Sequence, residues 1–140
     1  MVKHPDKAEK LLREALAADL YCGPAHNNLG VLYLNQGKLY EAAGEFEWAK
    51  KVMPGHPDPR VNLALTLEKA GRVDEAIAAY STALEVYPDY LAGMEGFAKL
   101  QLATGKSDPR IMHMLDEIAM RGETEEWREW AKVQKVKMEK

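Results

Sequence analysis

The sequence has a single cysteine, Cys22, among its 140 residues, and no apolar run long enough for a membrane span. One cysteine cannot form an intramolecular disulfide, which excludes a disulfide-stapled secreted fold. Crossing a bilayer takes roughly 18 to 20 consecutive apolar residues, so membrane insertion is not expected. The first residues, Met1 to Asp6, also lack the apolar core of a signal peptide. We therefore expect a soluble chain in a reducing, cytoplasmic compartment.

The sequence also lacks an excess of basic residues. Its 19 lysines and arginines are outnumbered by 22 aspartates and glutamates, for a formal net charge of -3. A surface that binds DNA or RNA needs clustered lysine and arginine to neutralise phosphates. A nucleic-acid partner is therefore not expected.

No signature of catalysis is present either. The sequence has no glycine-rich phosphate loop, no nucleophile elbow and no His-Glu-x-x-His segment. The four histidines are scattered, and the only close pair of soft ligands, Cys22 and His26, lacks the spacing of a zinc site. We expect no enzyme activity in this chain, no metal and no cofactor.

What the sequence does contain is an internal repeat with a period of 34 residues. Gly37 returns as Gly71 and again as Gly105. The same step relates apolar and small positions: Leu29, Leu63 and Phe97; Gly30, Ala64 and Ala98; Ala42 and Ala76; Phe46 and Tyr80; Ala49 and Ala83; Pro54 and Pro88. A fixed period of this length is typical of a solenoid of stacked helices.

Each repeat has start and stop signals for two helices. In residues 23–56, Pro24 suits a first helical turn, Gly37 suits a left-handed stop, and a second helix is predicted from Leu39 to Val52. Residues 57–90 repeat this pattern. The flanks are predicted to be a half repeat at 6–20, a divergent repeat at 91–121 and a C-terminal capping helix at 124–138.

The divergent repeat departs from the others in its second helix. Ser107 or Asp108 is the predicted cap of this helix, and Pro109 is placed in its first turn. Arg110 and Glu117 stand where the other repeats have small alanines, so shifted or looser packing is expected. In the capping helix, Thr124 is the predicted cap, and Trp127 and Trp130 are expected in the core.

The pattern resembles the tetratricopeptide repeat, a helix-turn-helix unit of 34 residues. The residues that carry the resemblance are Asn28, Leu29, Gly30, Tyr33, Gly37, Ala42, Phe46, Ala49 and Pro54, followed by Asn62, Leu63, Ala64, Leu67, Gly71, Ala76, Tyr80, Ala83 and Pro88. Both units depart from the family pattern at its leading tryptophan, where His26 and Arg60 stand. The resemblance implies an all-α solenoid of antiparallel helix pairs, a right-handed superhelix of about eight helices spanning residues 1–140.

In that family the first helices of the repeats line a concave groove that holds an extended peptide or a partner helix. Helical phase and the resemblance together give the groove candidates: Asn27, Asn28, Val31, Asn35, Asp58, Asn62, Leu65, Lys69, Glu95 and Lys99. Asn28 and Asn62 are of most interest, because a carboxamide can donate to and accept from a peptide backbone. The alternative is that they hydrogen-bond only water or a neighbouring helix.

A subset of the family binds acidic C-terminal tails of chaperones through a clamp of lysine, arginine and asparagine. In this register Asn62 keeps the central asparagine, whereas the basic positions hold Asn27, Ala92 and Gly96, and Val31 replaces the second asparagine. The missing cations remove the charge-assisted hydrogen bonds that hold a carboxylate. Chaperone-tail binding is therefore not expected.

Two other surfaces are candidates for contact with proteins. Tyr40, Gly44 and Trp48 lie four residues apart, away from the packed face of their helix, and could form a convex interface. The alternative is that these rings lie flat over neighbouring helices. The half repeat lacks its own first helix, so an apolar face is left for self-association: Leu11, Leu12, Ala15 and Leu16.

These features favour a non-catalytic scaffold that binds a peptide or protein segment in its groove. One alternative is an arm excised from a larger enzyme or from an export or assembly protein, which positions a substrate or partner. A second alternative is a self-associating structural module.

Overall fold

The computed structural model describes residues 4–139, and Met1–Lys3, the first part of the segment tested for a signal peptide, lie outside the described residues. Within the described range every regular element is a helix, which confirms the predicted all-α class and the number of helices. The helices are α1 (Pro5–Ala18), α2 (Gly23–Asn35), α3 (Leu39–Val52), α4 (Pro57–Lys69), α5 (Val73–Val86), α6 (Leu91–Ala103), α7 (Ile111–Arg121) and α8 (Glu125–Met138).

Glycine ends the first helix of the repeats, as the sequence predicts. Gly37 has a φ of 76°, and the backbone N–H of Lys38 donates to the carbonyl of Tyr33 at 2.9 Å. Gly71 has a φ of 80°, and Arg72 donates to Leu67 in the same way at 3.0 Å. This 6→1 bond is the Schellman motif, in which a residue without Cβ takes the left-handed conformation and turns the chain sharply.

The start of α7 differs from the prediction. Asp108 does not cap a helix that contains Pro109, because its carboxylate Oδ1 accepts from the backbone N–H of Arg110 at 2.8 Å. This local turn delays the helix to Ile111. By contrast, Thr124 caps α8 as predicted, since its hydroxyl accepts from the backbone N–H of Trp127 at 3.1 Å.

The chain divides into two compact units, Met1–Ala79 and Tyr80–Lys140. A single continuous solenoid over residues 1–140 therefore stays a prediction. In the first unit α1 packs against α2, α2 against α3, and α3 against α4. A buried cluster joins these helices: Leu29, Leu32, Tyr33, Leu34, Ala42, Phe46 and Leu63.

In the second unit α6 packs against α7, and α7 packs against α8. Its most buried apolar side chains include Met94, Phe97, Ile111, Leu115 and Ile118. Arg110 occupies the position of an alanine in the other repeats, and its guanidinium lies 4.6 Å from the centroid of the Phe97 ring. Its charge is paired with Asp108, so the altered residue covers the core with a flat cation instead of a methyl group.

Among residues 4–139 no helix has both the length and the apolar character needed to cross a membrane.

Candidate functional site

The predicted groove residues of the first unit lie along α2 and α4, which contact each other. Asn28, Asn35 and Lys69 are exposed, and the other five are half-buried: Asn27, Val31, Asp58, Asn62 and Leu65. We call these eight residues the inner face. Their contact with a peptide stays a prediction.

Two asparagines of the inner face hydrogen-bond to each other. The Asn62 side-chain N–H donates to Asn27 Oδ1 at 3.0 Å, which links α4 to α2. This contact uses one of the hydrogen-bonding positions of each carboxamide, and a carboxamide has two N–H groups and two oxygen lone pairs. Asn62 therefore bonds a neighbouring helix, as the alternative expects, and its contact with a peptide stays a prediction.

Asn28 and Val31 also line an open cleft beside α1. Its volume is about 420 Å³, and its walls are Ala8, Leu11, Leu12, Asn28, Val31 and Leu32. Leu11 remains 56% exposed, and Leu12 and Leu16 are half-buried. Ala15, the fourth residue predicted for self-association, is exposed. We call this space the N-terminal cleft; it brings two predicted groove residues against two predicted self-association residues.

The two groove residues predicted on α6 belong to the second unit and differ from each other. Lys99 is exposed, whereas Glu95 is only 5% exposed, so the expectation that Glu95 is presented on an open face is wrong. Its Oε2 atom has no hydrogen-bond partner. Burial, and secondarily the charge of Glu123, raise the pKa of Glu95 to about 7, although a backbone hydrogen bond from Glu123 opposes the change.

The predicted convex residues line a cleft of about 570 Å³ on another surface of the first unit. Tyr40 is 90% exposed, and a Cβ at Gly44 would have no atom within 4 Å. We call this space the outer cleft. Its other lining residues are Arg13, Tyr33, Glu41, Glu45, Glu47 and Lys51.

Trp48 is held in place by a network that sequence reasoning missed. Its ring stacks on His26 with centroids 5.2 Å apart, and Tyr21 meets it edge-on. His26 is 3% exposed; its Nδ1 lies 2.7 Å from Glu45 Oε2 and its Nε2 lies 2.8 Å from the Leu20 carbonyl. The Trp48 ring therefore lies against neighbouring side chains, as the alternative expects. The Tyr40 ring, by contrast, is exposed to solvent.

A second polar network contributes two residues, Arg13 and Tyr33, to the lining of the outer cleft. The Tyr33 hydroxyl donates to Glu9 Oε1 at 2.8 Å, and Arg13 donates to both the Tyr33 hydroxyl and Glu9. Burial, with the Glu9 hydrogen bond, raises the pKa of Tyr33 to about 12. The two pairs that involve Tyr33 are 20 and 24 residues apart in the sequence, so no local pattern could reveal them.

In the second unit, Trp127 and Trp130 are not core residues. Both are half-buried, and with Lys99 and Glu126 they line an open cleft of about 470 Å³. Only Ala131 of α8 is fully buried, because the apolar stripe of this helix is narrow. The prediction that both rings lie in the core is therefore wrong.

Within residues 4–139 no group of three or more His, Cys, Asp or Glu side chains could hold a metal ion. Cys22 is half-buried. Four residues further along the sequence, both ring nitrogens of His26 are engaged, Nδ1 with the Glu45 carboxylate and Nε2 with the Leu20 carbonyl.

Two family models described as "Tetratricopeptide repeat" match the sequence, one at residues 58–90 and the other at residues 3–53. Together they take in more than half of the chain. Among curated protein sequences none matches this chain.

Several solved structures are similar to this one. The Thermobaculum terrenum O-GlcNAc transferase, as a mutant, has 27% identity and a TM-score of 0.69 over 78% of this chain, but the match covers only 21% of the transferase chain. The first TPR of Spaghetti (RPAP3), solved with an HSP90 peptide, has 18% identity and a TM-score of 0.67; the match covers 73% of this chain and 81% of that one. A crystal structure of MamA has 16% identity and a TM-score of 0.69, covering 96% and 72% of the respective chains. The last two likenesses show the fold alone.

Proposed function

Because the chain belongs to the tetratricopeptide repeat family, whose fold is a common scaffold for protein–protein interactions, we propose that its inner face binds an extended peptide segment of a partner protein. The observation that carries this proposal is the N-terminal cleft. Its walls are apolar apart from the exposed carboxamide of Asn28, which is the composition of a site that takes an apolar side chain and fixes the adjoining backbone.

The chemistry of such binding is simple. An apolar side chain of the peptide enters between Leu11 and Val31, and burial of its surface supplies the binding energy. The Asn28 carboxamide donates to a peptide carbonyl and accepts from a peptide N–H, so it holds the backbone without selecting a sequence.

The expected ligand is apolar rather than acidic. The HSP90 peptide bound by the first TPR of Spaghetti is no evidence for the same ligand here, because that domain and this chain share only 18% identity. At one basic position of the family clamp, this chain has Asn27, whose side-chain oxygen already accepts from Asn62. We expect peptides with acidic C-termini to bind no better than scrambled controls.

The test uses peptides selected from a random library for binding to the whole chain, with affinities measured by calorimetry. We expect Asn28→Ala to weaken the binding about tenfold, because it removes one or two hydrogen bonds. The control Tyr40→Ser changes an exposed ring of the outer cleft and should leave the affinity within about twofold. If Tyr40→Ser abolishes binding and Asn28→Ala does not, the partner surface is the outer cleft and the proposal fails.

A second candidate is a partner-positioning arm of a larger enzyme. It is favoured by the 27% identity with the O-GlcNAc transferase, because the match covers only 21% of that longer chain. A coding sequence that continues from these residues into a catalytic domain would support this candidate. An open reading frame that ends at both termini of this chain, with no added domain, would oppose it.

Self-association through the N-terminal cleft is a third candidate, favoured by the exposed Leu11 side chain. Sedimentation of the chain and of Leu11→Lys should then give a dimer and a monomer, respectively. A monomer at all micromolar concentrations for the unaltered chain would remove this candidate.

A further inference from the structure

The cleft on α8 is built from two indole rings at right angles. The Trp127 and Trp130 rings have centroids 5.3 Å apart and an interplanar angle of 86°. We call the space they line with Lys99 and Glu126 the tryptophan cleft. We propose that this cleft binds the guanidinium side chain of an arginine in a basic peptide segment.

The ring geometry favours a flat cation. Perpendicular rings present one face and one edge to the same space, and the face of an indole is the strongest aromatic partner for a cation. Guanidinium is planar and more weakly hydrated than ammonium, so it stacks on an indole at a lower desolvation cost. The cleft is open to solvent, so the backbone on either side of the arginine can remain outside it.

The charge around the cleft has the complementary sign. Glu126 lines the tryptophan cleft and also a neighbouring cleft of about 400 Å³, whose other walls are Thr124, Glu125 and Glu129. Residues 123–132 carry four carboxylates, one guanidinium and one ammonium group. Glu129 is paired with Lys132 at 3.1 Å, and Arg128 donates to the Gly122 carbonyl at 2.6 Å. A visiting guanidinium can therefore stack on an indole and pair with the Glu126 carboxylate.

The acidic first turn of α8 and the cation of Lys99 also affect which ligand the cleft takes. Acidic residues in a first helical turn stabilise the helix dipole whether or not they bind anything. Stabilisation of the dipole explains the acidic residues, but it does not explain the two half-buried tryptophans next to these residues. Lys99 contributes a cation to the cleft wall, but it already has an interaction partner among the described residues. An acidic segment that pairs with Lys99 is the competing occupant, and the experiment must separate the two.

The test follows the indole N–H signals of the ¹⁵N-labelled chain while peptides are added. The probes are Gly-Arg-Arg-Gly and Gly-Glu-Glu-Gly with blocked ends. We expect the arginine peptide to shift the Trp127 and Trp130 signals in a saturable manner, with a dissociation constant in the millimolar range. Trp48 is the internal control, because His26 stacks on its ring and Lys51 lies 5.8 Å from its centroid.

Variants that each remove one exposed carboxylate charge sharpen the result without disturbing the core. Glu126→Gln should weaken the arginine peptide about fivefold, and raising the salt concentration should weaken it further. Glu139→Gln makes the same charge change at the exposed end of α8 and should have less than a twofold effect. Equal shifts at Trp48, a stronger response to the glutamate peptide, or equal effects of the two variants would each overturn the proposal.

Discussion

At the scale of single residues, Gly30 of α2 packs closely against Phe46 of α3. A Cβ built on Gly30 would lie 2.5 Å from Phe46 Cε1, and Phe46 is fully buried. The repeat pattern anticipates this contact, because Gly30 recurs as Ala64 and Ala98, and close helices leave room for only one large side chain.

Two glycine variants in the same unit test this contact. Gly30→Ala should destabilise the chain by about 1 to 3 kcal/mol, because the methyl group overpacks the core. Gly44→Ala should stabilise it by about 0.5 to 1 kcal/mol, since this helical glycine faces open space. Urea denaturation followed by circular dichroism measures both. If Gly30→Ala stabilised the chain, Phe46 would have to move aside at little cost, and the tight packing of Gly30 against Phe46 would be contradicted.

Glu95 predicts a pH dependence of stability. Its pKa is about 7 in the folded chain and near 4.5 when exposed, so the folded state binds more protons between these values. Stability should therefore fall as the pH rises from about 4.5 to 7, by at most about 3 kcal/mol, and change little from this group above pH 7.

The isosteric variant Glu95→Gln isolates this effect. It should be more stable than the unaltered chain at pH 8 and similar at pH 5, as measured by urea denaturation across this range. Glu126→Gln, at an exposed carboxylate, is the matched control and should leave the pH profile unchanged. A profile that keeps its slope in Glu95→Gln would show that another group causes it.

Two residues show why residue-scale prediction is partial. His26 meets Glu45, 19 residues away in the sequence, and helical phase gives no sign of that pairing. Glu95 is placed by phase on the groove side of α6, but the segment around Glu123 covers it. Periodicity predicts which face a side chain takes on its own helix, whereas burial depends on what packs over that face.

At the scale of helices, the sequence predicts starts and ends where a local cause exists. Gly37 and Gly71 stop their helices because only glycine takes the left-handed conformation freely. The start of α7 differs from its prediction for a local reason too, since the Asp108 carboxylate has a choice of backbone N–H groups and bonds Arg110.

The cap of α8 can be tested by hydrogen exchange. Thr124→Ala removes the acceptor of the Trp127 backbone N–H and should cost about 1 kcal/mol, whereas Thr124→Ser should retain most of the stability. The Trp127 amide should therefore exchange about fivefold faster in the alanine variant. Equal exchange rates in the alanine and serine variants would show that the hydroxyl does not cap the helix.

At the scale of the whole molecule, the fold is predictable because repeats contact mainly their sequence neighbours. A 34-residue period therefore records the packing of one helix pair against the next. The ligand is less predictable, because exposed positions such as Asn28 and Tyr40, and the half-buried Trp127, are not constrained by that packing. Sequence reasoning named the inner face and Tyr40, but it assigned the two tryptophans of α8 to the core.

The central claim is that the inner face of the first unit binds an extended peptide. The most direct measurement is a map of backbone and side-chain amide signals in the ¹⁵N-labelled chain upon addition of a library-selected peptide. The account predicts that the largest changes fall on Asn28, Val31 and Asn62, with little change at Tyr40 and Gly44. Changes confined to Tyr40, Gly44 and Trp48 would contradict it.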